Sequence, residues 1–180
     1  MRYASIRDLD ISNGEGVGVA LFVQGCHRHC YNCFNQETWD FEGGKEWIDE
    51  TSKQFFKIFE DKPQIQRLSI LGGEPLEDDN IPTINKIIEQ FKKAYPQKKV
   101  WLYTGNTLTE NDFHPINGFM INHELDYYWY HTIQSCDVIV DGEYIDDLRD
   151  FNLKWRGSSN QRVIDVQQTI KEKKIVLYCD

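Results

Sequence analysis

Apolar residues come along this chain in two rhythms, short continuous runs and longer stripes at helical spacing. Val17 to Val23 reads as a first strand, and Trp47 to Glu60 carries Ile48, Phe55, Phe56 and Phe59 as a helical stripe. Arg67 to Leu71 reads as a short second strand. Ile81 to Tyr95 reads as a helix with Ile84, Ile87, Ile88 and Phe91 on one face, stopped by Pro96. Val100 to Tyr103 is a third strand, Asp137 to Val140 a fourth, and Lys174 to Tyr178 a further run of strand type. Residues 113–133 are rich in aromatics (Phe113, Phe119, Tyr127, Tyr128, Trp129, Tyr130), and either a helical insertion or a partner surface fits them. Strand-like runs alternating with helix-like segments predict βα units and an α/β fold.

Parallel α/β sheets place chemistry at the carboxyl ends of their strands. Each predicted strand here runs into a polar loop. Cysteines follow Val23, Gly72-Gly73-Glu74-Pro75 follows Leu71, Thr104-Gly105-Asn106 follows Tyr103, and Asp141-Gly142-Glu143 follows Val140. The layout gathers these four loops at one rim.

At 180 residues the chain suits one domain, 1–180, with a real core. A complete (β/α)8 barrel takes about 250 residues, so any barrel here is shortened and incomplete. No apolar run approaches the roughly 20 residues of a membrane span, and the start of the chain lacks a signal-peptide core. Five cysteines, three of them clustered, do not read as a disulfide framework, and a reducing cytoplasm is the economical expectation. A formal charge of −9 speaks against a large nucleic-acid footprint, which needs a basic stripe, but leaves room for an anionic nucleotide in a small pocket.

The densest chemistry lies in Cys26-His27-Arg28-His29-Cys30-Tyr31-Asn32-Cys33. Three thiols in one loop can converge on one metal centre, and soft sulfur selects zinc or an iron–sulfur cluster. A structural zinc site is closed by four protein ligands, whereas a reactive centre keeps a position open. Three cysteines therefore point to a cluster with one iron free. His27, Arg28 and His29 read as loop residues supplying positive charge rather than as a fourth ligand. A non-catalytic zinc or iron–sulfur module, closed by Cys136 or Cys179, is the rival of a different class. Both thiols otherwise read as small apolar or free groups. Gly72-Gly73-Glu74-Pro75 by itself would be a plain turn. At the next strand end it reads as a ligand site, its glycines admitting close backbone approach and Glu74 accepting from a cationic amine. Trp155-Arg156-Gly157-Ser158-Ser159-Asn160-Gln161-Arg162 gathers donors around a glycine, suited to carboxylate, ribose or phosphate.

The C-x3-C-x2-C spacing resembles the signature of the radical S-adenosylmethionine superfamily. That resemblance implies a [4Fe–4S] cluster on Cys26, Cys30 and Cys33, with S-adenosylmethionine chelating the open iron, and a shortened, incomplete (β/α) barrel. Gly72, Gly73 and Glu74 match the motif that binds the methionine amino group. The position before the last cysteine, often aromatic and close to the adenine, is Asn32 here, and Phe34 is the alternative apolar surface. Further anchors run from about residue 10 to 165: Asn13-Gly14-Glu15-Gly16, Cys33-Phe34-Asn35, Thr38-Trp39, Thr104-Gly105, Val140-Asp141-Gly142 and Trp155 to Gln161. Together these resemble the activating proteins of anaerobic (class III) ribonucleoside-triphosphate reductases. The likeness implies Thr104, Asp141 and Arg156 as further cofactor-binding residues, and no catalytic side chain as such. It also implies a glycyl radical made on the large subunit of the reductase, and a one-electron donor such as a flavodoxin. An activase of another glycyl-radical enzyme, such as pyruvate formate-lyase, is the close rival. Two departures stand out. Glu15 replaces the usual proline, and Gly18 falls where the family commonly has arginine. The resemblance is silent on 113–133 and on the tail after Arg162.

Overall fold

The computed structural model describes residues 1–114 and 123–179. One mixed sheet of eight strands organises them: β1 (Arg2–Asp10), β2 (Gly18–Val23), β3 (Lys45–Glu46), β4 (Arg67–Gly72), β5 (Lys99–Tyr103), β6 (Val138–Asp141), β7 (Arg162–Asp165) and β8 (Leu177–Cys179). Their order across the sheet is β3-β1-β2-β4-β5-β6-β7-β8. The centre, β2-β4-β5-β6, is parallel, and each flank is antiparallel. The helices are α1 (Asp49–Asp61), α2 (Ile81–Ala94), α3 (Glu110–Phe113), α4 (Glu124–Ser135) and α5 (Val166–Glu172).

The four strands expected from apolar runs form the parallel centre, because strands covered on both faces need no polar alternation. Val19, Leu21, Val23, Leu68, Ile70, Val100, Leu102, Ile139 and Ile164 face one way and pack against Phe55, Phe59, Ile84, Ile88, Phe91, Ile133 and Val166 of the helices. The alternate residues face the other way. Trp101, Val138, Val140 and Val163 form one small cluster there, and Ala20, Phe22 and Leu71 another, with Tyr103 packed on both. Helices thus cover one face of the sheet, and its opposite face is left to line a cavity.

Three strands escaped the sequence pattern. Four of the nine β1 residues are exposed and four are charged, β3 has only two residues, and β7 is only four residues long before Asp165 caps α5. The expected last strand, Lys174 to Tyr178, starts later, at Leu177. Of the aromatic segment 113–133, Phe113 closes α3 in the core and residues 124–133 lie in α4. Phe119 and its neighbours at 115–122 lie outside the described residues.

The start of β4 holds a buried ion pair. Arg67 donates to the Asp10 carboxylate at 2.8 Å, to the carbonyls of Asp10 and Glu15, and to Ser69 Oγ. Its side chain and that of Asp10 are 1% and 2% exposed. The guanidinium lies over Gly18, its partner across the ladder: a Cβ built at Gly18 would stand 2.3 Å from Arg67 Nη1.

Candidate functional site

The cavity on the helix-free face holds about 560 Å3 and opens at the carboxyl ends of the parallel strands. Its floor is Phe22, Leu71, Tyr103 and Val140, one residue from each parallel strand. Above the floor stand Cys26, Cys30 and Cys33, the Gly72-Gly73-Glu74 turn, Thr104-Gly105, and Arg156-Gly157.

The cysteine loop is shaped by its backbone. Gly25 N–H donates to Thr38 O at 2.8 Å and Cys26 N–H to Trp39 O at 3.1 Å, tying the loop to its far end. His29 (φ 49°) and Asn32 (φ 53°) take left-handed conformations, folding the chain back twice so that Cys30 between them and Cys26 and Cys33 on either side share one wall. His29 stacks on Trp39 at 4.5 Å, and His27 packs on Phe41 and bonds Glu77 at 3.1 Å. Both histidines brace the loop through these contacts. All three thiols are half-buried. Burial raises the Cys26 and Cys30 thiols, Cys30 to about 11, so binding a metal there displaces a proton from each.

The glycine turn is bonded to this loop. Gly73 N–H donates to Val23 O at 2.9 Å and Glu74 N–H to Gly25 O at 2.8 Å. Gly72 has φ +107°, and a Cβ at Gly73 would stand 2.4 Å from Gly25 O, so the approach of the two loops requires glycine at both positions. Glu74 is 3% exposed. Its Oε1 accepts from Leu76 N–H at 3.0 Å and Thr104 Oγ1–H at 2.8 Å, and its Oε2 from Gly105 N–H at 2.8 Å. Arg28 Nε stands 3.7 Å from Oε2. Burial pushes this carboxyl up, against the pull of those donors and of Arg28. A carboxylate has about four acceptor positions; three are taken, leaving one on Oε2 for a ligand cation.

The remaining expected residues divide. Phe34 lines the cavity, 5.1 Å from the Tyr144 ring, and Thr104 lines it while locked to Glu74. Arg156 lines it too, and its buried Nε has no hydrogen-bond partner among the described residues. Asp141 and Asn32 do not reach the cavity wall. The Asp141 carboxylate is fully buried, held by Arg162 and by Leu108 N–H at 2.8 Å. Asn32 is exposed and donates to Asp146 at 2.9 Å. Much of the Trp155 to Gln161 string fastens its own backbone. Gln161 Oε1 accepts from Gly157 and Ser158 N–H, its Nε2 donates to Gly142 O, and Asn160 donates to Glu143 O. The wall also contains Arg7, Ser12, Tyr103, Tyr144 and Phe151, none of which the pattern had marked as site residues. Arg7 was hidden in an unrecognised strand, and the others carry no motif of their own.

Cys136 is fully buried in the helix-side core, its thiol donating to Thr132 O, and Cys179 packs on the opposite face against the Trp101 cluster. Neither lines the cavity. Among the described residues, no three His, Cys, Asp or Glu side chains close on a single metal ion. Three thiolates on one wall, with no fourth thiol beside them there, fit a cluster that keeps one iron accessible.

These features define a single-cluster iron–sulfur protein, and the family model of the 4Fe-4S single cluster domain matches residues 12–164. Curated relatives narrow the class. The chain is 33% identical over 164 residues to the anaerobic ribonucleoside-triphosphate reductase-activating protein of Escherichia coli (strain K12), covering 91% of this chain and 97% of that one. It is 33% identical to the proteins of that name from Vibrio cholerae, over 89% of this chain and 96% of the relative, and from Enterobacteria phage T4, over 91% and 93%. The chain belongs to the family of anaerobic ribonucleoside-triphosphate reductase-activating proteins. Among the described residues, no helix is long and apolar enough to cross a membrane.

Proposed function

We propose that this chain is a radical S-adenosylmethionine activase, working as one domain in the cytoplasm, whose substrate is the large subunit of an anaerobic ribonucleoside-triphosphate reductase. The observation that carries the reading is the meeting of the three cysteines with the Gly72-Gly73-Glu74 turn in one cavity at the ends of four parallel strands. Helices on one face and the cavity on the other suit a shortened barrel left open at its side. A [4Fe–4S] cluster held by Cys26, Cys30 and Cys33 would supply the single electron for reductive cleavage of S-adenosylmethionine, and with it the hydrogen-abstracting chemistry directed at a backbone glycine of the reductase.

The chain's own residues bind and orient. Cys26, Cys30 and Cys33 hold three irons. The Gly72–Gly73 backbone and the free position of Glu74 Oε2 receive the methionine amino group. Arg156 offers an unpartnered N–H to an anionic or hydroxyl group of the ligand, and Phe34 an apolar face. Thr104 acts through Glu74 by holding Oε1. Asp141 holds Arg162 rather than the ligand. A flavodoxin is the expected donor class for the electron. The relatives' names favour the reductase over pyruvate formate-lyase as partner. The burial of Cys136 and the remote packing of Cys179 speak against a module closed by a fourth cysteine.

The test is isotopic. Deuterium placed at the target glycine of the reductase should appear in 5′-deoxyadenosine as the glycyl radical forms, read by mass spectrometry and paramagnetic resonance. Consumption of a small metabolite in step with cleavage, with no radical on the reductase, would make this a small-molecule radical enzyme.

A further inference from the structure

Large apolar side chains stand exposed around the mouth of the cavity. Phe151 is 79% exposed, Phe34 53%, Leu148 42% and Ile145 41%. Tyr31 and Ile11 extend the set on the cysteine loop and on the loop after β1. Isolated exposed apolar residues are ordinary, but a contiguous collar around a cavity marks an interaction surface. Contiguity here is physical. The Arg149 guanidinium lies 4.2 Å from the Phe151 ring centre and 5.1 Å from that of Phe34, joining the β6–β7 connection to the cysteine loop. Asn32 to Asp146, at 2.9 Å, ties the two segments again. Phe34 and Phe151 also line the cavity, so the collar and the interior are one surface.

Charge narrows the occupant. From Glu143 to Asp150 the connection carries four acids, Glu143, Asp146, Asp147 and Asp150, against Arg149 alone. A two-fold contact between copies of this chain would set that acidic run against itself, on a molecule of charge −9. We propose that the collar is the docking surface for a segment of the reductase that is apolar at its centre and basic at its flanks, a step that rests on the activase reading. Phe151, Leu148 and Ile145 receive the apolar centre, and Glu143 and Asp147 face the basic flanks. The polar string Ser158 to Gln161 fixes the connection from behind, so the surface is preorganised and little ordering is needed on contact.

The experiment uses the full chain, anaerobically reconstituted, with its cognate reductase. Ile145→Ala with Leu148→Ala removes two exposed apolar anchors that do not line the cavity. Glu143→Lys with Asp147→Lys inverts the flanking charge. Each pair should weaken binding to the reductase by roughly tenfold or more in calorimetry. The charge variant should also lose most of the salt dependence. S-adenosylmethionine affinity, and its cleavage measured without reductase, should stay within about twofold of the parent. Unchanged reductase affinity in both pairs would overturn the docking surface. So would self-association of the parent that Ile145→Ala with Leu148→Ala abolishes, since the occupant would then be a second copy. If the parent neither binds nor activates a reductase, it is the activase reading that fails.

Discussion

Moving one guanidinium between neighbouring strands tests how the opening loop is held. Arg67 reaches back from β4 to Asp10 and to the carbonyls of Asp10 and Glu15, pinning the loop that brings Ser12 and Asn13 to the cavity. Removing one partner of a buried ion pair costs about 3–5 kcal/mol. Asp10 keeps two bonds from Asn13, at 3.0 and 2.8 Å, which places Arg67→Gly near the lower end, about 3 kcal/mol. Gly18→Arg alone forces a second side chain into an occupied space, its Cβ 2.3 Å from Arg67 Nη1, and overpacking of this kind costs about 1–3 kcal/mol before like-charge repulsion is added. The double variant Gly18→Arg/Arg67→Gly empties the space from one strand and refills it from the other, since Gly18 and Arg67 face each other in register.

The resemblance places an arginine where Gly18 stands, so this double variant returns a guanidinium to that strand. Urea unfolding with linear extrapolation should show each single variant destabilised and the double recovering at least about 2 kcal/mol over their sum. S-adenosylmethionine affinity should follow stability down and back, because the loop carries wall residues. A double variant no more stable than the additive expectation would refute the reading that Arg67 stands in for a residue at 18.

Two further outcomes are expected. Cys26→Ala, Cys30→Ala and Cys33→Ala should each abolish the cluster or its activity, whereas Cys136→Ala and Cys179→Ala should retain it; iron and sulfide analysis with absorption spectra decides, and loss of the cluster in Cys136→Ala to the extent seen in Cys30→Ala would remove the open-iron arrangement. Glu74→Ala should leave the cluster spectrum intact while weakening S-adenosylmethionine binding by about 1.5–3 kcal/mol, the worth of a hydrogen bond to a charged group; lower stability with unchanged affinity by calorimetry would make Glu74 a clamp between β4 and β5 only.

The legible parts of the fold were those where burial dictates composition. The parallel strands are apolar on both faces, so β2, β4, β5 and β6 read directly, and the stripe of α2 matched its buried face; that of α1 matched at Phe55 and Phe59, whereas Ile48 precedes the helix and is exposed. β1 was illegible because it lies near the edge, paired on its outer side only with two-residue β3, and carries Arg2, Arg7, Asp8 and Asp10. Within the site, the cysteines and the glycine turn were legible because their chemistry resides in spacing. Asp141 could not be assigned from sequence to the cavity or away from it, because an acid at a strand end can equally bind a ligand or an arginine. Its partner Arg162 lies 21 positions on, in a strand the pattern had not shown. Asn32 fails for a backbone reason: its left-handed conformation directs the side chain to Asp146, away from the cavity. The free position on Glu74 was invisible too, because it depends on counting donors from two separate segments.

One segment serves both sides of the cavity wall, and that has a thermodynamic consequence. The β6–β7 connection turns Arg156 and Gly157 inward to the ligand space, while Leu148 is exposed outside it and Phe151, which lines the cavity, is also largely exposed. Its polar side chains are bonded to its own backbone, so the segment moves as a unit rather than residue by residue. On the docking proposal, a reductase segment seated on Phe151 also restricts Arg156, five residues away on the same strap. Binding free energies are reciprocal, so S-adenosylmethionine must raise reductase affinity by the same factor by which reductase raises S-adenosylmethionine affinity. Titrating the parent chain with each ligand in the presence and absence of the other should therefore return one factor twice, above unity. A factor of one in both directions would mean that the strap does not couple its two faces, and the cavity and the collar would then be independent sites that share a wall.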